Sequence, residues 1–219
     1  MSERALHRLI WGILLAVMAG IAGVSVWNGL GLGSKPADQG KRALEGLQIF
    51  GLVPDFSLIE RSESRISLAQ LKGKVWIANF IYTTCQDTCP LQSAEMEKMQ
   101  EELQHRTNLR FVSISVDPER DDPKALSRYA DRFKADPNFW LFLTGERNQI
   151  YHLAQEGFRL SAVPATDSAV QYGPVILHSS RFVLVDGQAR IRGYYDSQDA
   201  EALQRLRRDV KLLLMKTEA

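Results

Sequence analysis

Hydrophobic and polar positions divide the chain into three regimes. Residues 9–27, LIWGILLAVMAGIAGVSVW, are apolar almost throughout, uncharged, and have no polar face. Residues 28–49 mix glycine, proline and scattered charges, the composition of a tether. From residue 50 onward, strand-length apolar runs alternate with amphipathic stretches of helical period.

In that third regime, DFSLIE and RISLAQ flank a polar turn and are expected to be short strands. Residues 75–82, VWIANFIY, form a near-continuous apolar run, the signature of a strand buried on both faces. A helix is expected from Pro90, suited to a first helical position, to about His105. LRFVSISVD predicts a strand, and DDPKALSRYADRF a helix with Asp122 as cap and Pro123 in the first turn. FWLFLTG then predicts a strand, and ERNQIYHLAQEG a short helix ended by Gly157. After the loop SAVPATDSAVQYGPVILHSS, RFVLVDGQARIRGYY predicts a hairpin turning at Asp186-Gly187. The closing amphipathic helix carries Leu203, Leu206, Val210 and Leu213 at helical spacing. This order predicts an α/β sandwich around a central mixed sheet, parallel at first and antiparallel at the end. It is the order of a thioredoxin-like domain with an insertion before the hairpin, here expected over residues 50–219.

The apolar run changes the picture of where the domain works. As a helix it spans about 28 Å, close to the thickness of a bilayer core. Trp11 and Trp27 stand near its ends, and Arg4 and Arg8 precede it. Residues 9–27 are therefore expected to be a transmembrane helix, with residues 1–8 cytoplasmic and residues 28–49 tethering an exported domain. A cleaved signal peptide has the same leader shape, but the run exceeds the usual apolar length of one. A buried core helix would show a polar face. The leader has no Arg- and Ser-rich presequence, which points to a bacterial inner membrane with the domain on the periplasmic side.

Charge adds little beyond an exclusion. The chain has 27 Lys+Arg and 26 Asp+Glu, and setting aside Arg4, Arg8 and Glu3 leaves a formally neutral remainder without a long single-sign block. That is no footprint for nucleic acid.

Only two cysteines are present, Cys85 and Cys89, both in TTCQDTCP directly after the buried strand. Two are too few for a disulfide framework, so their role is chemical. Their spacing permits a disulfide, and the start of the following helix favours a thiolate. A thiolate serves thiol–disulfide exchange and soft-metal binding alike. The exchange motif of this fold is usually one residue shorter, and two thiolates with an imidazole suit copper. Of the four histidines, His7 precedes the apolar run, while His105 and His152 fall in predicted helices. His178 precedes the strand that this fold brings beside its cysteine motif. Pro174 lies four residues before it, so the cis-proline of redox members has no counterpart in register.

CQDTCP at 85–90, SISVDPERDDP at 113–123 and LHSSRFVLVDGQARIRGYY at 177–195 together resemble the Sco/SenC family of membrane-anchored copper chaperones. The resemblance covers roughly residues 50–214 and rests on three motifs in order. It implies a thioredoxin-like domain holding one copper ion through Cys85, Cys89 and His178. It implies delivery of that copper to the binuclear centre in the copper-bearing subunit of cytochrome c oxidase. Other copper carriers and thiol–disulfide proteins are further expected partners. Leu177 stands where many members have an acid before the histidine. Asp87 and Asp117 are the remaining candidates for carboxylates that support the ligands; the ordinary readings are a solvated Asp87 and a strand-to-turn exit at Asp117. Met96 and Met99 at helical spacing are read as packing residues, and Tyr82 as core.

The leading expectation is thus a metallochaperone without substrate turnover. The alternative is a membrane-anchored thiol–disulfide reductase acting through Cys85 and Cys89, which could reduce the copper-site cysteines of the oxidase. A peroxidase of the same fold ranks below both, because no arginine stands beside the motif.

Overall fold

A computed structural model describes residues 11–12, 17–18, 47–160 and 179–217. The chain separates into two compact units, Met1–Ala43 and Leu44–Ala219. Of the first, Trp11, Gly12, Val17 and Met18 are described, and they are helical. The rest of the expected anchor lies outside the described residues, among which no helix is long and apolar enough to cross a membrane.

The second unit is built on one eight-stranded sheet. Its strands are β1 (Gly51–Leu52), β2 (Ser57–Glu60), β3 (Arg65–Ser67), β4 (Val75–Ile81), β5 (Leu109–Ser115), β6 (Trp140–Thr144), β7 (Arg181–Val185) and β8 (Arg190–Asp196). In space they run β1-β8-β7-β4-β5-β6-β2-β3. β4, β5 and β6 are parallel, and β7 and β8 are antiparallel additions on the other side of β4. This is the mixed α/β sandwich expected from the sequence.

β4 shows why the fold closes on itself. All seven of its side chains are buried. Val75, Ile77 and Ile81 face one core, and Trp76, Ala78 and Phe80 face the other, as the two-residue strand period requires. Helices α2 (Thr88–Leu103), α3 (Pro123–Asp131) and α5 (Ala200–Thr217) cover the first face. There Met96 and Met99 are fully buried, and Leu203, Leu206, Val210 and Leu213 form the apolar stripe of α5. The second face is covered by α1 (Leu68–Leu71), α4 (Arg147–His152) and the π-helical turn Leu153–Gly157. Asp122 caps α3 as expected, its carboxylate accepting from the Ala125 N–H at 2.6 Å.

Three local expectations are corrected. RISLAQ is a strand only over Arg65–Ser67; Ser67 and Gln70 then form a capping box that turns LAQL into α1. Pro90 is the third residue of α2, not the first. Its missing N–H costs nothing there, because first-turn N–H groups lack helical partners anyway. The hairpin turns over Asp186–Ala189, with the Ala189 N–H donating to the Asp186 carbonyl and the left-handed φ falling on Ala189. Gly187 is needed for close approach instead: a Cβ there would stand 3.2 Å from the Gly73 backbone, whose N–H donates to the Gly187 carbonyl.

Candidate metal and thiol site

The cysteine loop leaves the carboxyl end of β4, where parallel α/β sheets collect their chemistry. The Cys85 N–H donates to the Tyr82 carbonyl at 3.1 Å, closing a tight turn. What fixes that turn is Asp121, whose side chain is completely buried. Its carboxylate accepts from the Thr83 N–H at 3.0 Å, from the Thr83 hydroxyl at 2.5 Å and from the Ser115 hydroxyl at 2.5 Å. Asp121 thereby ties the end of β5 to the loop that carries Cys85. Burial pushes its carboxyl up, and the hydrogen bonds from Ser115 and Thr83 pull it back without cancelling the shift.

The first turn of α2 then orders the sulfurs. Asp87 occupies the cap position, but its carboxylate makes no capping bond and is exposed. The Cys85 sulfur stands in as acceptor: the Cys89 N–H, one of the unpaired donors of the first turn, points at it from 3.4 Å. Cys85 and Cys89 are both buried and both free thiols.

Their acidities diverge. The Cys85 thiol is lowered to about 5, chiefly because the Cys89 thiol donates to it. Burial opposes this, while the backbone N–H groups of Cys89 and Asp87 and the Tyr82 hydroxyl assist it. Cys89 is pushed up, first by its bond to Cys85 and then by burial. The two shifts run in opposite senses, toward thiolate on Cys85 and toward thiol on Cys89. The groups holding the thiolate are hydrogen-bond donors, not cations. Tyr82, read as core from the sequence, is half-buried, and its hydroxyl serves the sulfur.

The other candidates separate. Asp117 accepts from Arg120 at 3.2 Å, and its N–H donates to Ser115. Asp87 serves Cys85 through its N–H instead of its carboxylate. His105 is exposed beyond the end of α2, and His152 pairs with Glu156 on the surface. His178 lies outside the described residues. Among the described residues no three His, Cys, Asp or Glu side chains gather around one point. Ser179, joined to His178 by a peptide bond, is described. It lines a cleft of about 270 Å³ together with Cys89, Thr88, Tyr82, Ser180 and Gln198.

Sequence reading missed Asp121 and Gln92. Gln92 is fully buried on α2, and its amide N–H donates to the Ser179 carbonyl at 3.0 Å. A polar residue one helical turn beyond Cys89, facing the core side, was the available signal.

Comparison with known proteins bears on the family and the fold. A family model described as SCO1/SenC matches residues 48–213. The SCO1 protein homolog of Bacillus subtilis (strain 168) is 32% identical over 161 residues, covering 73% of this chain and 81% of that protein. The structure of BsSco, a member of the Sco family of cytochrome c oxidase assembly proteins in which a disulfide switch was identified, superposes with a TM-score of 0.65. It is 29% identical over 79% of this chain and 98% of that one. Bradyrhizobium japonicum ScoI with copper bound gives a TM-score of 0.60 at 26% identity, over 74% of this chain and 99% of that one.

Proposed function

The chain belongs to the SCO1/SenC family, and from that premise we propose that it carries one copper ion on Cys85, Cys89 and His178 and delivers it to the copper-bearing subunit of a cytochrome c oxidase. The observation that carries this reading is the buried pair of free cysteines, with the Cys89 N–H aimed at the Cys85 sulfur from 3.4 Å. Such a pair fits a soft cation, which converts a thiol to thiolate by displacing its proton. Support for His178 comes from Ser179, which lines the same cleft as Cys89. Cα atoms across a peptide bond stand about 3.8 Å apart, so the histidine is within one residue of that cleft. Copper is cargo in this reading, and release takes place at a loop at the strand end.

The deciding measurement is copper stoichiometry and affinity of the full chain in detergent, for the native sequence, Cys85→Ser and His178→Ala. One ion per chain is expected, abolished by the serine substitution and weakened at least about tenfold by His178→Ala. Unchanged affinity in His178→Ala would remove the histidine from the site.

A second reading follows from the divergence of the two thiols. A low-lying thiolate beside a protonated thiol is the arrangement of a disulfide reductase. The Cys85 thiolate would attack a partner disulfide and release one partner thiolate. Cys89, losing its proton, would then resolve the mixed disulfide, leaving Cys85–Cys89 oxidised and the partner reduced. Reduction of a disulfide substrate by the copper-free chain tests this, with Cys89→Ser expected to stall at the mixed disulfide.

Residues 9–27 would anchor the domain in a bacterial inner membrane and place it on the periplasmic side. A reporter joined after residue 40 is expected to be active only outside the cytoplasm; cytoplasmic activity would reverse the orientation.

A further inference from the structure

A buried chain of hydrogen bonds crosses the domain and ends at the residue after His178. The Trp140 indole N–H on β6 donates to the Ser113 hydroxyl on β5 at 2.9 Å. Ser113 donates to the Asn79 side-chain oxygen on β4 at 2.7 Å. The Asn79 amide faces the Gln92 side-chain oxygen at 3.5 Å, and Gln92 donates to the Ser179 carbonyl at 3.0 Å. Trp140, Ser113, Asn79 and Gln92 are all completely buried.

The direction of this chain is not free. A backbone carbonyl can only accept, so Gln92 turns its NH2 to Ser179 and its oxygen to Asn79, and Ser113, accepting from the indole, spends its own proton on the Asn79 oxygen. Asn79 then presents its NH2 to Gln92. A donor aimed into the core must be met, because an unpaired buried amide is costly. The next carbonyl, that of Ser180, accepts from the Ser197 N–H at 2.8 Å. Two consecutive carbonyls ahead of β7 are therefore clamped, one to the cysteine helix and one to the segment after β8.

We propose that Gln92 is a positioning residue for the third copper ligand: through the buried relay from Trp140 it locks the Ser179 backbone to the helix of Cys89 and so sets the reach of His178 toward the two sulfurs. This rests on the copper reading above. Gln92 and Cys89 are three residues apart on α2, so the clamp and the sulfur move as one rigid element.

The test uses the full chain loaded with copper(II), read by electron paramagnetic resonance and visible absorption, together with amide hydrogen exchange of the copper-free chain. Gln92→Met keeps the side-chain volume and removes the donor. It is expected to retain copper on the thiolates while its spectra move toward those of His178→Ala, and exchange at residues 179–181 should quicken about tenfold. Ser93→Ala serves as control. Ser93 is buried on the same helix as Gln92, and its hydroxyl bonds Tyr129 of α3 at 2.9 Å, away from the Ser179 clamp. That variant should keep the native spectra; an equal shift would mean general loosening of α2 and overturn the proposal. Native spectra in Gln92→Met, with altered spectra in His178→Ala, would overturn the positioning role alone. Native spectra in His178→Ala would sink the ligand assignment and this proposal with it. Should Gln92→Met fail to fold, Ser113→Ala cuts the same relay with a smaller change. It should shift the spectra in the same sense, and native spectra there would count against the relay.

Discussion

Two carboxylates lie buried at opposite ends of the sheet, and the protein treats them differently. Asp186, at the β7–β8 turn, accepts from Arg190 and Arg192, each at 2.8 Å. Burial pushes its carboxyl up, but Arg192, Arg190 and the backbone N–H groups of Arg190 and Gln188 together hold it below its ordinary 3.8. Asp121, at the cysteine end, is satisfied by hydroxyls and one backbone N–H, and burial leaves it above 3.8. One end is neutralised by arginine and fastened: Arg192 also donates to the Leu47 carbonyl, tying the described start of the domain to β8. The other end is held by neutral donors: hydroxyls and an N–H on Asp121, and thiol, N–H and hydroxyl donors on Cys85. A cation drawn to the cysteine end competes with no guanidinium on Asp121, whereas at the β7–β8 corner two already occupy Asp186.

The comparison can be broken most strongly at the cysteine end. Asp121→Ala strands three donors, on Thr83 and Ser115, and is expected to cost roughly 3 kcal/mol in denaturant unfolding while exposing Cys85 to alkylating reagents. Unaltered alkylation would show that the loop holds its shape without the carboxylate. Asp186→Ala removes the partner of two arginines that are partly solvated. A loss of about 2 kcal/mol is expected, with copper binding and Cys85 reactivity unchanged. A change in copper affinity there would erase the distinction between the ends.

Acidity sharpens the same contrast. The folded pKa of Asp186 is depressed, so its stabilisation is complete above 3.8 and disappears as the pH falls through the lower folded value. Asp121 has the opposite sign: the folded state binds its proton more tightly, so stability declines as the pH rises from 3.8 through the raised value. Unfolding midpoints between about pH 3 and 7 should therefore lose part of their acid limb in Asp186→Asn and gain stability at the upper end in Asp121→Asn, provided the amide keeps the Thr83 bonds.

The smallest effects concern the sulfur itself. Alkylation of copper-free Cys85 should have its half-point near pH 5 and level off by about pH 7, where the thiolate is nearly complete. Cys89→Ala removes the largest cause of that depression. The half-point should move toward the ordinary 9.0, cutting the rate near neutrality by about tenfold or more. Tyr82→Phe removes a lesser donor and should move it less. Equal shifts would reverse the order of the two contributions.

Much of this architecture was legible along the chain because periodicity reports burial directly. The continuous run of β4, the strand β5 and the stripe of α5 each fell where expected. The Asp122 cap did too, since a cap is a contact between near neighbours. Boundaries that failed depended on short-range competition, as where the Ser67–Gln70 box claims residues a strand pattern would also accept. The site divided along the same line. Cys85 and Cys89 announce themselves by adjacency, but the carboxylate that holds their loop is Asp121, 36 positions past Cys85 and beside the more obvious Asp117. Nothing in SVDPERDD distinguishes them; the choice is made by which one meets the Thr83 N–H.

The sequence by itself determined the mixed sheet, the thiol pair at its carboxyl edge and the family. All of these follow from local pattern, and local pattern survives in a one-dimensional string. Tertiary structure alone decided which cysteine carries the charge, which aspartate pins the loop and how Gln92 reaches Ser179. Each of those depends on one donor meeting one acceptor across strands and helices distant in the chain, at hydrogen-bond distances only the packed fold sets.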